Sequence, residues 1–221
     1  MKLTIRSQFM HIHTVIVSYK RRVLTEKTLQ GYLDTVSVPH SLIIVDNGSP
    51  PDTTEWLSSL EIPVLFLNEN RFPGYATNRG WERMPSETIL LHRLDNDTQL
   101  LPGWCENTIE CFEDPRVGQY GLLAPGDSEW LNSKNLYPSG FAGWPVGGNS
   151  IIHRKLYDEG LRYSERPWTA GGILEDNQMT LDVWKMGYKR VFSNIPVMEY
   201  LGGGYPEYDI EIAASRGIIL K

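Results

Sequence analysis

The sequence predicts one α/β domain built on a mostly parallel sheet. Short apolar runs alternate with amphipathic segments through the first half of the chain, in the order β-α-β-α-β-α-β. Those runs are apolar nearly throughout, as parallel strands covered on both faces are. The length, 221 residues, suits a single domain with a sizeable core.

Each element has a local reason. Thr14-Val15-Ile16-Val17-Ser18-Tyr19 is β-branched and short, and reads as the first strand. Lys20, Arg21 and Arg22 follow it in a loop. Thr25 is placed to cap the next helix, in which Leu29, Leu33 and Val36 fall at helical spacing before Pro39 ends the segment. Leu42-Ile43-Ile44-Val45-Asp46 is the second strand, broken by Asn47-Gly48-Ser49-Pro50-Pro51. Asp52 and Glu55 resemble a capping pair for a helix carrying Trp56, Leu57 and Leu60. Val64-Leu65-Phe66-Leu67 is the third strand, and a helix is expected around Ala76 to Met84. Thr88-Ile89-Leu90-Leu91 opens the fourth strand, which runs to Asp95.

The second half is less regular. Pro102 suits the first position of a helix reaching Phe112. A strand is expected near Tyr120-Gly121-Leu122-Leu123-Ala124, another from Val146 to His153, and a short helix from Leu156 to Leu161. A helix from Glu175 to Met186 ends at Gly187, a good C-cap residue, before late strands at Tyr188 to Phe192 and Ile195 to Met198. Between these lie residues 126–144, rich in Gly, Ser, Asn and aromatics and of a length at which loops usually serve function or are disordered, and a second loop at 162–172.

Composition narrows the function classes. The net charge of −6 gives no support to a non-specific polyanion binder. No apolar run approaches the length of a membrane span, and no signal-peptide core follows the N-terminal bases. Cys105 and Cys111, if on one helix, stand about 9 Å apart along its axis, too far to bridge. They read as reduced thiols of a cytoplasmic protein.

The chemistry concentrates at Leu94-Asp95-Asn96-Asp97-Thr98. Two carboxylates one residue apart at a strand's carboxyl end stand where open α/β sheets bind ligands. They repel each other unless a cation sits between them. A divalent ion on a diphosphate, Mg2+ or Mn2+, takes such oxygen ligands. The alternative is an Asx turn leading into the following helix. No Gly-x-Gly-x-x-Gly follows the first strand, and no Walker-type phosphate loop is present.

Five blocks in order resemble the inverting glycosyltransferases of family 2, with the rhamnosyltransferase-like branch as the nearest flavour. They are Val15-Ile16-Val17-Ser18-Tyr19-Lys20-Arg21, Ile44-Val45-Asp46-Asn47-Gly48-Ser49, Asn70 with Gly74-Tyr75-Ala76-Thr77-Asn78-Arg79-Gly80, Leu94-Asp95-Asn96-Asp97-Thr98, and Glu175-Asp176 with Gly187-Tyr188. The resemblance runs from Val15 to about Gly204. It implies a GT-A-type single domain: a nucleotide-sugar-binding half at about 12–100, an acceptor and catalytic-base half at about 101–204, and a tail at 205–221.

The resemblance also assigns roles. Val17, Ser18, Tyr19, Asp46, Asn78, Arg79, Asp95 and Asn96 would contact the nucleotide sugar, with Tyr19 stacking on the base and Asp46 accepting a pyrimidine N–H. UDP- or dTDP-sugars are therefore the favoured donors. Each role has a structural alternative: core packing for Val17 and Tyr19, a turn aspartate for Asp46, a solvated helix charge for Arg79. Asp97 and Asp95 would hold Mn2+ or Mg2+. Glu199 would complete the set where relatives often place a histidine, or else it is a surface residue. Asp176 would be the general base taking the acceptor's proton, with Glu175 in support, although acidic residues also favour the first turn of any helix. Gly147, Gly148 and Trp144 belong to the acceptor side; the glycines could equally mark a bulge. Aromatics Trp130, Tyr137, Phe141 and Trp168 crowd the same irregular loops, where rings can stack on sugars. The acceptor carries a hydroxyl and could be a glycan, lipid-linked sugar, protein, small molecule or modified nucleic acid. Rival readings are a sugar nucleotidyltransferase, which the absent glycine loop disfavours, and a catalytically silent nucleotide-sugar-binding protein.

Overall fold

The computed structural model describes residues 10–125, 148–166 and 175–202. Among them the strands are β1 (His11–Ser18), β2 (His40–Asp46), β3 (Val64–Phe66), β4 (Thr88–Asp95), β5 (Thr98–Leu100), β6 (Val117–Gly121), β7 (Ser150–His153), β8 (Lys189–Phe192) and β9 (Met198–Tyr200). The helices are α1 (Arg22–Thr35), α2 (Pro51–Ser58), α3 (Phe72–Trp81), α4 (Trp104–Phe112), α5 (Arg154–Asp158) and α6 (Glu175–Lys185).

Seven strands form one sheet in the order β3-β2-β1-β4-β7-β6-β8. The pairs β1–β2, β1–β4 and β2–β3 are parallel, as the βαβ alternation predicts. The strand β7 enters antiparallel to both β4 and β6, while β8 returns parallel to β6. The predicted α/β class with a mostly parallel central sheet is therefore what the chain adopts.

The sheet separates two apolar layers. Ile12, Ile16, Ile44, Leu90, Leu94 and Trp104 belong to one. Val15, Val45, Ala76, Trp81, Leu91 and Ile152 belong to the other. Successive residues of a strand face opposite sides, so the alternation in β1 and β4 feeds both layers from continuous apolar runs.

Several boundaries differ from expectation for physical reasons. The helix α1 starts at Arg22, so Thr25 is no cap; it lies inside the first turn and its hydroxyl donates to the Arg21 carbonyl at 3.3 Å. In α2 Pro51 takes the first position with Pro50 as cap residue, and no side-chain cap bond forms, so Asp52 and Glu55 make no capping pair. The helix α3 begins earlier than Ala76, at Phe72, whose φ of 68° turns the chain into the helix. Pro102 precedes α4 but does not open it. Gly103 does, at φ 93°, a conformation costly for any residue with a Cβ.

The short strand β5 had no clear local pattern. It is fixed by β9 from the far end of the described chain, with Thr98 opposite Tyr200, Gln99 opposite Glu199 and Leu100 opposite Met198. Both cysteines lie on α4 and are free thiols. No helix among the described residues is long and apolar enough to cross a membrane.

Candidate active site

Parallel register sets the site. Val17 pairs with Val45 on one side and Asp95 on the other, and Ser18 pairs with Asp46. The ends of β1, β2 and β4 therefore finish together, with Asp46 and Asp95 flanking the end of β1.

Asp46 is buried, and its Oδ2 accepts the Ser49 N–H at 3.0 Å, which closes the Asn47-Gly48 turn. Its other oxygen, Oδ1, is buried with no hydrogen-bond partner among the described residues. Burial holds the Asp46 carboxyl above its ordinary range. The turn role is thus present, and one acceptor oxygen is left over.

Ser18 and Asn96 meet at Thr25. The Ser18 and Thr25 hydroxyls lie 3.3 Å apart, and Asn96 Nδ2 donates to Thr25 Oγ1 at 2.9 Å. This node ties the start of α1 to the Asp-x-Asp turn. Val17 is part of the apolar layer, and Tyr19 is half-buried with the Lys20 ammonium 5.2 Å from its ring centroid.

Lys20 and Arg21 both carry positive φ, 54° and 48°. Two successive side-chain-bearing residues in the left-handed region cost roughly 1–3 kcal/mol each, and such strain gathers at functional sites. The turn delivers Arg21 Nη1 to Asp97 Oδ2 at 2.7 Å. Burial and then the neighbouring Asp95 carboxylate raise the Asp97 pKa, against the pull of Arg21.

Two carboxylates that repel are a fit for a divalent ion, which needs only one or two protein oxygens when phosphate supplies the rest. The third expected ligand does not join them. Glu199 points outward on β9, where Met198 takes the inward place by strand alternation. Among the described residues no group of three ligating side chains forms. Of the three residues expected to hold a metal, Asp95 and Asp97 are the two that lie together.

Asp95 is held from both ends. Its backbone N–H donates to Asn149 Oδ1 at 2.9 Å, and its Oδ1 accepts from Arg93 Nε at 3.1 Å. Gly148 lies against it so closely that a Cβ there would stand 2.1 Å from Asp95 Oδ2. The glycine is thus explained by close approach rather than by a bulge. Gly147 and Trp144 lie outside the described residues, as do Trp130, Tyr137, Phe141 and Trp168.

The second carboxylate pair heads α6. Glu175 is buried, and its Oε1 accepts from Arg93 Nη1 at 3.3 Å. Asp176 Oδ1 accepts the Asn177 N–H at 2.6 Å. Burial raises both carboxyls above their ordinary range, with Arg93 opposing the shift. A carboxylate with a raised pKa at a site edge is the kind of group that removes a proton from a hydroxyl.

Asn78 and Arg79 serve other partners. Asn78 clamps the Tyr163 backbone from both sides, Nδ2 to the carbonyl at 2.9 Å and the N–H to Oδ1 at 3.1 Å. Arg79 reaches Glu82 at 2.8 Å and Glu165 at 3.0 Å, and lies over the Tyr75 ring. So the structure gathers Asp46, Asp95, Asp97, Glu175 and Gly148 in one region and gives Asn78 and Arg79 structural contacts. Sequence reasoning gave no role to Arg21, Arg93 or Asn149. A lone arginine in an apolar strand, two residues before Asp95 and so on its face, was the available signal for Arg93.

The model for the family described as glycosyl transferase family 2 matches residues 14–164, more than half of the chain. No curated protein matches. Among solved structures, the mannosyltransferase PcManGT of Pyrobaculum calidifontis, in complex with GDP-Man and Mn2+, superposes with a TM-score of 0.70 at 14% identity, over 93% of this chain and 61% of that one. TarS of S. aureus in complex with UDP-GlcNAc superposes with a TM-score of 0.67 at 13% identity, over 90% of this chain and 61% of that one. The chain thus spans about three fifths of these relatives' length.

Proposed function

The chain belongs to glycosyl transferase family 2, and from that premise we propose that it moves one hexosyl or deoxyhexosyl unit from a nucleoside diphosphate sugar to an acceptor hydroxyl, with inversion. The observation that carries this reading is the convergence of two carboxylate pairs. Asp95 and Asp97 lie at the end of β4, Glu175 and Asp176 lie at the head of α6, and Arg93 spans from Asp95 to Glu175.

In this reading Asp46 Oδ1 accepts the ring N–H of a pyrimidine, Tyr19 stacks on the base, and Asp95 and Asp97 would hold Mn2+ or Mg2+. The bound ion would stabilise the negative charge gathering on the leaving diphosphate. Arg21, already at Asp97, adds a second positive group to the same oxygens. The acceptor oxygen forms a bond to the anomeric carbon from the face opposite the diphosphate. The carbon–oxygen bond to the diphosphate breaks and its electron pair leaves with the nucleotide. Asp176 takes the hydroxyl proton as attack proceeds. Gly148, which this reading assigns to the acceptor side, packs its backbone against Asp95 where a Cβ would not fit.

The pyrimidine preference rests on Asp46 alone, since the two superposed proteins carry GDP-Man and UDP-GlcNAc respectively. The rhamnosyltransferase-like branch rests on the five sequence blocks. The test is a binding and hydrolysis screen of nucleoside diphosphate sugars with Mn2+ or Mg2+, on wild type and Asp97→Ala. Metal-dependent binding of one donor, abolished in Asp97→Ala, is the expected result. A well-folded wild type that binds no nucleotide overturns the reading.

A further inference from the structure

Arg93 is buried at the centre of the sheet, 4% exposed, between Val15 on β1 and Ser150 on β7. A guanidinium there is costly unless fully paired. Its pairing is split between two parts of the site. Nε reaches Asp95 at 3.1 Å and Nη1 reaches Glu175 at 3.3 Å, while the plane lies 5.0 Å over the Tyr163 ring. A guanidinium keeps its charge when buried, and Asp95 and Glu175 are the carboxylates that meet it.

The surroundings are shaped to admit this fork. A Cβ on Gly148 would stand 2.9 Å from Arg93 Nη2, and one on Gly74 would stand 3.1 Å from Glu175 Cγ and 2.3 Å from the Ser164 carbonyl oxygen. Tyr163, which carries the guanidinium on its ring, is fixed by the Asn78 clamp on its backbone and by its hydroxyl, 3.1 Å from Ser150 Oγ. The helix α6 follows residues 167–174, so its first turn gains a tie to the sheet through this contact.

We infer that Arg93 is the positioning residue for the base: its fork fixes Glu175, and with it the neighbouring Asp176, at a set place relative to the donor carboxylate Asp95. This rests on the proposed function. A planar fork can bridge two carboxylates at fixed geometry, whereas an ammonium supplies the same charge from a point. Charge compensation and positioning are therefore separable.

The test is Arg93→Lys, read by thermal melting, by binding of UDP and of GDP with Mn2+, and by release of nucleoside diphosphate from the donor that wild type consumes. The expected result is a folded protein whose nucleotide affinity stays within about threefold while kcat falls about a hundredfold, the scale of a misplaced catalytic group. Glu175→Ala removes the same tie from the other end and has to show the same split, which keeps the test open should Arg93→Lys fail to fold. Combining the two substitutions is expected to lose little more than Arg93→Lys alone, because both act through one contact.

Wild-type kcat in Arg93→Lys would show that only the charge matters and would overturn the inference. So would affinity and kcat falling together, or losses that multiply in the double variant. A wild type that neither binds nor hydrolyses any donor removes the proposed function and this inference with it. An active wild type beside an unimpaired Arg93→Lys removes this inference alone.

Discussion

His92 and Arg93 are neighbours on β4 and face opposite sides of the sheet, and the two sides treat a buried nitrogen base in opposite ways. His92 meets Thr14 and the Trp104 ring, with no carboxylate among its contacts. Burial pushes its pKa down to about 3, so it stays neutral. Arg93 pairs with two carboxylates, Asp95 and Glu175, lies in the field of a third, Asp176, and stays charged. The strand supplies both groups; the layer opposite decides the charge. The α4 side of the sheet is a core that keeps the His92 ring neutral, and the α6 side is a core that surrounds a guanidinium with carboxylates.

That contrast can be broken or sharpened by substitution. The largest effect is expected for Asp176→Asn, on the charged side. A lost general base slows transfer about 10³-fold, with UDP or GDP binding kept. In wild type the acidic limb of kcat should fall above the ordinary carboxylate range, because Asp176 has a raised pKa and must be ionised to act. A full-rate Asp176→Asn would remove the base from this helix.

Gly148→Ala comes next. A methyl 2.1 Å from Asp95 Oδ2 displaces that carboxylate itself, which should cost about 1–3 kcal/mol and lower Tm and Mn2+-dependent nucleotide binding together. An unchanged Tm would mean that Asp95 moves freely and that the ionic side is looser than the distances imply.

The smallest effect belongs to the neutral side. The folded pKa of His92, about 3, lies below its unfolded value near 6.5, so between those values the unfolded chain binds more protons. The fold therefore loses stability as pH falls through that window and has it in full above. Replacing His92 by Phe should flatten the slope of unfolding free energy against pH by up to about 1.4 kcal/mol per unit there. Urea melts at several pH values read it directly; an unaltered slope would place the charge change elsewhere, at His11 or His13, whose pKa values burial also lowers.

How much of this was legible in the sequence follows the range of the interactions. The first four strands were legible because their apolar runs satisfy both layers locally, and β4 ends at Asp95 as its sequence predicts. The carboxylates were visible as pairs. Their connection was not: the apolar strand around Arg93 marks it as unusual, but nothing local names Glu175, far away in sequence, as its partner. Glu199 was read as either a third ligand or a surface residue, and β9 leaves it exposed while Met198 packs into the core. Asn78 reads as a site residue from its block, yet its amide is spent on the Tyr163 backbone, a contact that only the fold creates.

The ribbon of β5 and β9 sets a limit on how the chain can be shortened. The Leu201 N–H donates to the Asp97 carbonyl at 2.7 Å, and Val197 supplies the carbonyl for the Leu101 N–H at 2.9 Å. A fragment cut before Met198 keeps every strand of the main sheet, and would pass a test of folding by secondary structure. It nevertheless loses the backbone partner of Asp97 and leaves β5 as an unpaired edge. A unit that keeps the backbone partner of Asp97 therefore extends at least to Leu201, well past the last strand that the main sheet requires.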